Sequence, residues 1–189
     1  MADPSNPVLL GSYSATDKLA FAVAAYGDSV YLSEFADGVS GGTLRVLDIS
    51  DPSPPTSLRS QSLPDMPYHF RVLEGRLIAA NDASISLWSL ANPREPQLLD
   101  TQTAAGRVCA VDGGNIVVSG RVFRPDGNRL VEVARFTAGQ GQAAGFPYGS
   151  AIGSGSVFLT QSLRVLILQG VAPPEAWRCQ VRLPLVRNR

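Results

Sequence analysis

Short runs of Val, Leu, Ile, Tyr and Phe alternate with polar positions and are cut by Gly, Pro, Asn, Asp or Ser along the whole chain. Period-two alternation bounded by turn residues predicts half-buried strands, and helical periodicity is nearly absent, so the pattern predicts an all-β protein. FAVAAYGDSVYLSEF, from Phe21, splits at Gly27 and Asp28 into two such runs, and YHFRVLEGRLIAAND, from Tyr68, splits at Glu74 and Gly75. RVCAVDGGNIVVSG, from Arg107, splits at Gly113 and Gly114, and YGSAIGSGSVFLTQ, from Tyr148, around Gly155. Each split predicts a tight hairpin, because glycine reaches the positive φ of two-residue turns at little cost.

The runs recur as a unit. TLRVLDISDPSPP from Thr43, SISLWSLANPREP from Ser84, GNRLVEVARFTAG from Gly127 and SLRVLILQGVAPP from Ser162 align as a third strand, starting 41, 43 and 35 residues apart. A period near 40 residues accommodates four short strands and their turns, which is one blade of a β-propeller. After the third strand come DPSPP at 51–55 and NPREP at 92–96, where an Asp or Asn side chain bonds the backbone two residues on and proline presets φ. TSLRSQS, QLLDTQT and AWRCQVRL are then fourth strands. In the third repeat TAGQGQAAG stands where the bend and outer strand are expected, so that strand is expected to be missing or irregular. Its RVFRPDGNRLVEV is taken as the hairpin between second and third strands.

LRVLDISDPSPP, its degenerate copies ISLWSLANPREP and LRVLILQGVAPP, and the opening DPSNPVLLGSY together resemble the LVIVD repeat of bacterial and archaeal β-propellers. The resemblance covers most of the chain, more strongly in the first two repeats, and Ile167 replaces the Asp48-type residue in the fourth. It implies one propeller domain over residues 1–189, with blades near 19–63, 64–104, 105–144 and 145–185. A strand at 6–13 would pair with the last blade or with a partner. Two closures stay open: a closed four-bladed wheel, or part of a larger or oligomer-completed one. The resemblance also suggests an extracytoplasmic or cell-envelope location, and it implies no single reaction.

Composition narrows the function. Sixteen basic and sixteen acidic residues give a formal net charge of zero with no like-charge block, which argues against nucleic acid. No run approaches the roughly 20 apolar residues of a spanning helix, and MADPSNPVLL has no signal-peptide pattern. Cys109 and Cys179, with no CxxC, read as free thiols rather than a zinc site or disulfide scaffold.

In a propeller the loops entering each inner strand share a face with the loops between second and third strands. That places Asp17, Lys18, Glu34, Asp65, His69, Asp82, Arg107 and Tyr148 near a channel mouth. Asp65, His69, Asp82, Arg107 and Tyr148 are the candidate ligand-binding residues. His69, the single histidine, is the group suited to proton transfer, with Asp65 or Asp82 to orient it. Against chemistry stand the missing GxSxG elbow, the lack of calcium-loop spacing, and GxG fragments that precede no helix, so no catalytic, metal or cofactor residue is assigned. Trp88 reads as core packing, and Trp177 as ring closure or a partner interface. The sequence therefore favours a non-catalytic binding or scaffold propeller that engages a protein, a glycan or a larger assembly, with a small-ligand binder or enzyme at the channel mouth as the alternative.

Overall fold

The computed structural model describes residues 8–36, 41–51, 53–104, 108–112, 114–118, 121–135, 149–153, 156–161 and 164–169. The described chain is all-β, and its fifteen strands form four sheets, each in simple sequence order. The first sheet comprises β1 (Leu19–Tyr26), β2 (Ser29–Phe35), β3 (Gly42–Asp48) and β4 (Thr56–Leu63). The second comprises β5 (His69–Leu73), β6 (Arg76–Ala80), β7 (Ser84–Ser89) and β8 (Gln97–Thr103). The third has β9 (Val108–Asp112), β10 (Asn115–Val118), β11 (Arg121–Asp126) and β12 (Arg129–Arg135), and the fourth β13 (Gly149–Gly153), β14 (Ser156–Gln161) and β15 (Arg164–Gln169). By contact density the chain divides into two compact units, Met1–Leu77 with Ser89–Gln97, and Ile78–Trp88 with Leu98–Arg189.

The written repeat is also a repeat of bonds. After β3 the amide of Ile49 donates to the carbonyl of Asp28 in the first hairpin turn at 2.9 Å, and after β7 the amide of Leu90 donates to the equivalent carbonyl of Gly75 at 2.9 Å. Asp48 Oδ1 accepts from the Ser50 amide at 2.9 Å, and Ser89 Oγ accepts from the Ala91 amide at 3.2 Å. One bend further on, Asp51 Oδ1 accepts from Ser53 N at 3.1 Å and Asn92 Oδ1 from Arg94 N at 3.2 Å. LDISDPS and WSLANPR thus make the same turn with different side chains, because Asp, Asn and Ser all offer an oxygen to the amide two residues on.

In the first unit, the register places Tyr31, Ser33, Leu44 and Val46 on one face of the first sheet and Val30, Leu32, Glu34, Thr43, Arg45 and Leu47 on the other. The first face is the better buried, and the bend at 92–95 docks on it. The fully buried Tyr31 donates its hydroxyl to the Pro93 carbonyl at 2.9 Å. Burial pushes its pKa up to about 12, so the donor proton stays in place. Beside it, Arg94 Nη2 meets Asp48 Oδ2 at 2.6 Å, and Glu95 pairs with Arg59 of β4.

In the second unit the core is apolar: Ile78, Ile85, Leu87, Ile116, Val117 and Val118 are all buried, and Trp88 is buried with its indole N–H on Ser86 Oγ at 2.9 Å. Asp100 on β8 accepts the Leu130 amide of β12 at 2.7 Å. Leu130 stands opposite Pro125, one pair beyond the hairpin-closing pair Asp126 and Arg129, so its N–H faces away from β11. The carboxylate therefore satisfies a donor at a sheet edge that nothing else in the ladder reaches.

The third repeat corrects the sequence alignment. RVFRPD is its third strand, β11, and GNRLVEV supplies its fourth, β12, which is present and paired with β11 apart from a bulge at Val133. A two-residue turn at Gly127 and Asn128, with Gly127 at φ 55°, replaces the proline bend. Both strands open with an arginine, two apolar residues and a charge, RVFR and RLVE, so apolar pattern alone could not tell third from fourth. The residues 124–127 accordingly close the third strand and begin its turn into the fourth, rather than joining second to third as expected.

Two measurements test these ties. Tyr31→Phe is expected to lower the urea unfolding free energy by about 1 kcal/mol, as for a buried hydrogen bond, while Arg94→Ala, losing an exposed ion pair, costs about 0.5 kcal/mol or less. In the second unit, Glu132 is held down to about 2 by hydrogen bonds from Arg135 first and Arg121 second. The Leu130 amide first, and Gln102 and Thr101 after it, lower Asp100. Depressed carboxylates add stability above their unfolded values, and that contribution is lost as pH falls through the folded ones. Urea melts between neutral pH and about pH 2 should therefore show stability falling below about pH 4.5, with a shallower fall in Glu132→Gln.

Candidate functional site

The most organised polar cluster among the described residues sits on the less buried face of the first sheet, around Glu34. Glu34 is 0% exposed although it is the penultimate residue of β2. Two chain segments supply its partners. From β3, Arg45 approaches side-on, with Nε at 3.1 and 3.2 Å from the two carboxylate oxygens and Nη2 at 3.0 Å from Oε2. From the segment preceding β1, Tyr13 donates its hydroxyl to Oε1 at 2.9 Å, and Lys18 Nζ lies 3.8 Å from Oε2 and 3.2 Å from Thr43 Oγ1. Arg45 Nη1 is satisfied by Ser57 Oγ of β4 at 3.0 Å.

Register explains why these groups meet. Glu34 pairs with Thr43 and Leu32 with Arg45, so Glu34 and Arg45 lie diagonally on one face, within reach of a long side chain. The Glu34 hydrogen bond pushes the Arg45 pKa up, and burial first, then the Glu34 bond, raises Tyr13, so both remain donors at neutral pH. This is a charge-compensated cluster with every carboxylate oxygen occupied. It can hold a segment in place, and it offers no free base or nucleophile.

Of the residues expected at a channel mouth, the structure brings Lys18 and Glu34 together. Asp17, at φ 55°, turns the chain into Lys18. Asp65 is exposed on the connection from β4 to β5, His69 opens β5 half-buried, and Asp82 is exposed on the connection from β6 to β7. Arg107, Tyr148, Trp177 and Cys179 lie outside the described residues, as does the side chain of Cys109. Among the described residues no group of three or more His, Cys, Asp or Glu could hold a metal ion, and no helix is long and apolar enough to cross a membrane. Sequence reasoning named Glu34 and Lys18 but missed Tyr13 and Arg45. The signal for Arg45 was available: a cation in the middle of a third strand where the second repeat has Ser86.

Exposed apolar residues gather nearby. Leu19, Phe21 and Val23 of the edge strand β1 are at least half exposed, as are Val8, Leu9 and Leu10 ahead of it. Phe21 contacts Phe35 and Tyr68 edge-to-face, with ring centroids 6.1 and 6.2 Å apart. Strand β1 carries no charge from Leu19 to Tyr26, whereas the edge strands β4 and β12 carry Arg59 and Glu132. Compared with known proteins, the chain matches no protein-family model and no curated protein.

Removing Arg45 would strand a fully buried carboxylate. Arg45→Ala is expected to cost about 3 kcal/mol in a urea melt, while the paired change Glu34→Leu with Arg45→Leu restores most of it. Ser33 provides the opposite case: its buried hydroxyl has no hydrogen-bond partner among the described residues, so Ser33→Ala should be neutral or raise the melting temperature.

Proposed function

We propose that this chain is a β-propeller of LVIVD-type blades serving as a non-catalytic binding or scaffold module for a protein partner or larger assembly. The observation that carries the reading is how the described charged groups are used. Arg94 with Asp48, Glu95 with Arg59, Asp100 with the Leu130 amide, and Arg121 with the Thr103 carbonyl all tie one sheet, or the bend of the next repeat, to its neighbour. Side chains spent on stacking repeats suit a rigid platform whose value lies in its surface. The four sheets in sequence order, and the bond set shared by the first two repeats, support a blade-by-blade architecture. The uncharged apolar edge along β1 supports recognition by a surface rather than by a buried reactive centre.

Two experiments separate this reading from its rivals. Small-angle scattering of the chain at low micromolar concentration should give a radius of gyration of about 16 Å, as for a compact single particle of this length. A distinctly larger value would remove the closed wheel. A partner captured from the native source and identified by mass spectrometry should bind His69→Ala and Asp82→Ala as well as it binds the original chain. Loss of binding in either variant would move the function to the loops that carry them.

A further inference from the structure

The cluster at Glu34 does two separable jobs, and only one belongs to the sheet. Position for position in the repeat, Glu34 corresponds to Asn81 and Arg45 to Ser86, since Glu34 pairs with Thr43 as Asn81 bonds back from Ser84. In the second repeat this corner is closed by neutral groups: Asn81 Oδ1 accepts the Ala83 and Ser84 amides at 2.8 and 2.7 Å. A charged carboxylate is therefore not what the repeat needs there. What the first repeat has in addition is the segment 8–18, which forms no strand, so the strand expected at 6–13 is not formed over its described residues 8–13. The segment's described ties to the first sheet are side-chain contacts at Tyr13 and Lys18, and both converge on Glu34.

We propose that residues 8–18 are a detachable strap, latched by Glu34, which can leave the face of the first sheet while β1–β4 stay paired. Arg45 makes this feasible. It binds both carboxylate oxygens from within the sheet, so the departing Tyr13 and Lys18 do not leave an uncompensated buried charge behind. What detachment breaks is one hydroxyl hydrogen bond, one ammonium hydrogen bond to Thr43 and a long ion pair, with no strand ladder lost. Openings of that size occur far more readily than global unfolding. The strap bears Val8, Leu9 and Leu10, all well exposed, so its release frees an apolar arm at the uncharged edge of β1.

The test is limited chymotryptic cleavage after residue 13 in the full chain, its rate taken relative to the same bond in the denatured chain and followed by mass spectrometry alongside a circular-dichroism melt. Tyr13 must leave Glu34 to enter the protease, and the residues after it, Ser14, Ala15 and Thr16, belong to the strap, so the cleavage rate reports the open population. Tyr13→Phe should raise that rate about fivefold, the equivalent of one lost hydrogen bond, with an unchanged melting transition. Glu34→Gln should raise it further, and because that change also touches Arg45, the Tyr13 variant carries the decision. Cleavage of Tyr13→Phe at the original rate would overturn the proposal. So would faster cleavage accompanied by a weakened melt, which would make the segment part of the folded sheet's support. Neither result bears on whether the chain binds a partner.

Discussion

The first two sheets are organised around one backbone bond made after each third strand. The amide of Ile49 or Leu90 returns to the carbonyl of the first hairpin's turn, Asp28 or Gly75, and stops the third strand at a fixed point relative to the first two. A one-residue slip would turn every inward side chain outward. With the stop in place, Tyr31, Leu44 and Val46 face one way, and Asp48 stands where its carboxylate can both fold the bend and receive Arg94. The proline-flanked bend then emerges at a set angle, which is why Pro93 can offer its carbonyl to a tyrosine hydroxyl 62 residues earlier in the chain.

Much of the fold was legible because it is local. Turn residues at Gly27, Gly75 and Gly127 mark hairpins whose geometry a few neighbouring residues decide, and the Asx-type bends at Asp51 and Asn92 follow from their own side chains. Where the reading failed, two local signals competed. RVFRPD and GNRLVEV hold similar apolar runs, and only pairing with β10, from Ile116 opposite Phe123 to Val118 opposite Arg121, makes the first of them the third strand. The Pro-Asp-Gly turn was recognised, yet its place in the repeat depends on a partner strand that no local pattern names.

The candidate site was less legible for a related reason. Glu34 and Lys18 were placed at a mouth by loop topology, which says nothing about whom they face. Their meeting depends on the diagonal between Glu34 and Arg45 across β2 and β3, and on a segment returning from outside the sheet to deliver Tyr13. Asp65 and Asp82 lie on connections and His69 opens β5, and the sequence could supply these positions but no mutual geometry.

The short turn at Gly127 and Asn128 has an effect on how neighbouring repeats recognise one another. At the first junction the later repeat reaches back, because its proline bend is long enough to carry Arg94 and Glu95 onto its predecessor. With only two residues in the corresponding place, the third sheet has no such bend, and it meets the second through strand residues instead: Asp100 accepts the Leu130 amide, and Arg121 reaches back to the Thr103 carbonyl. The junctions are therefore not interchangeable: a copy of the second repeat inserted behind itself would bring Arg94 and Glu95 up against Ser89 and Asp100, one hydroxyl and one like charge. Such a chain would carry its own instruction against duplication.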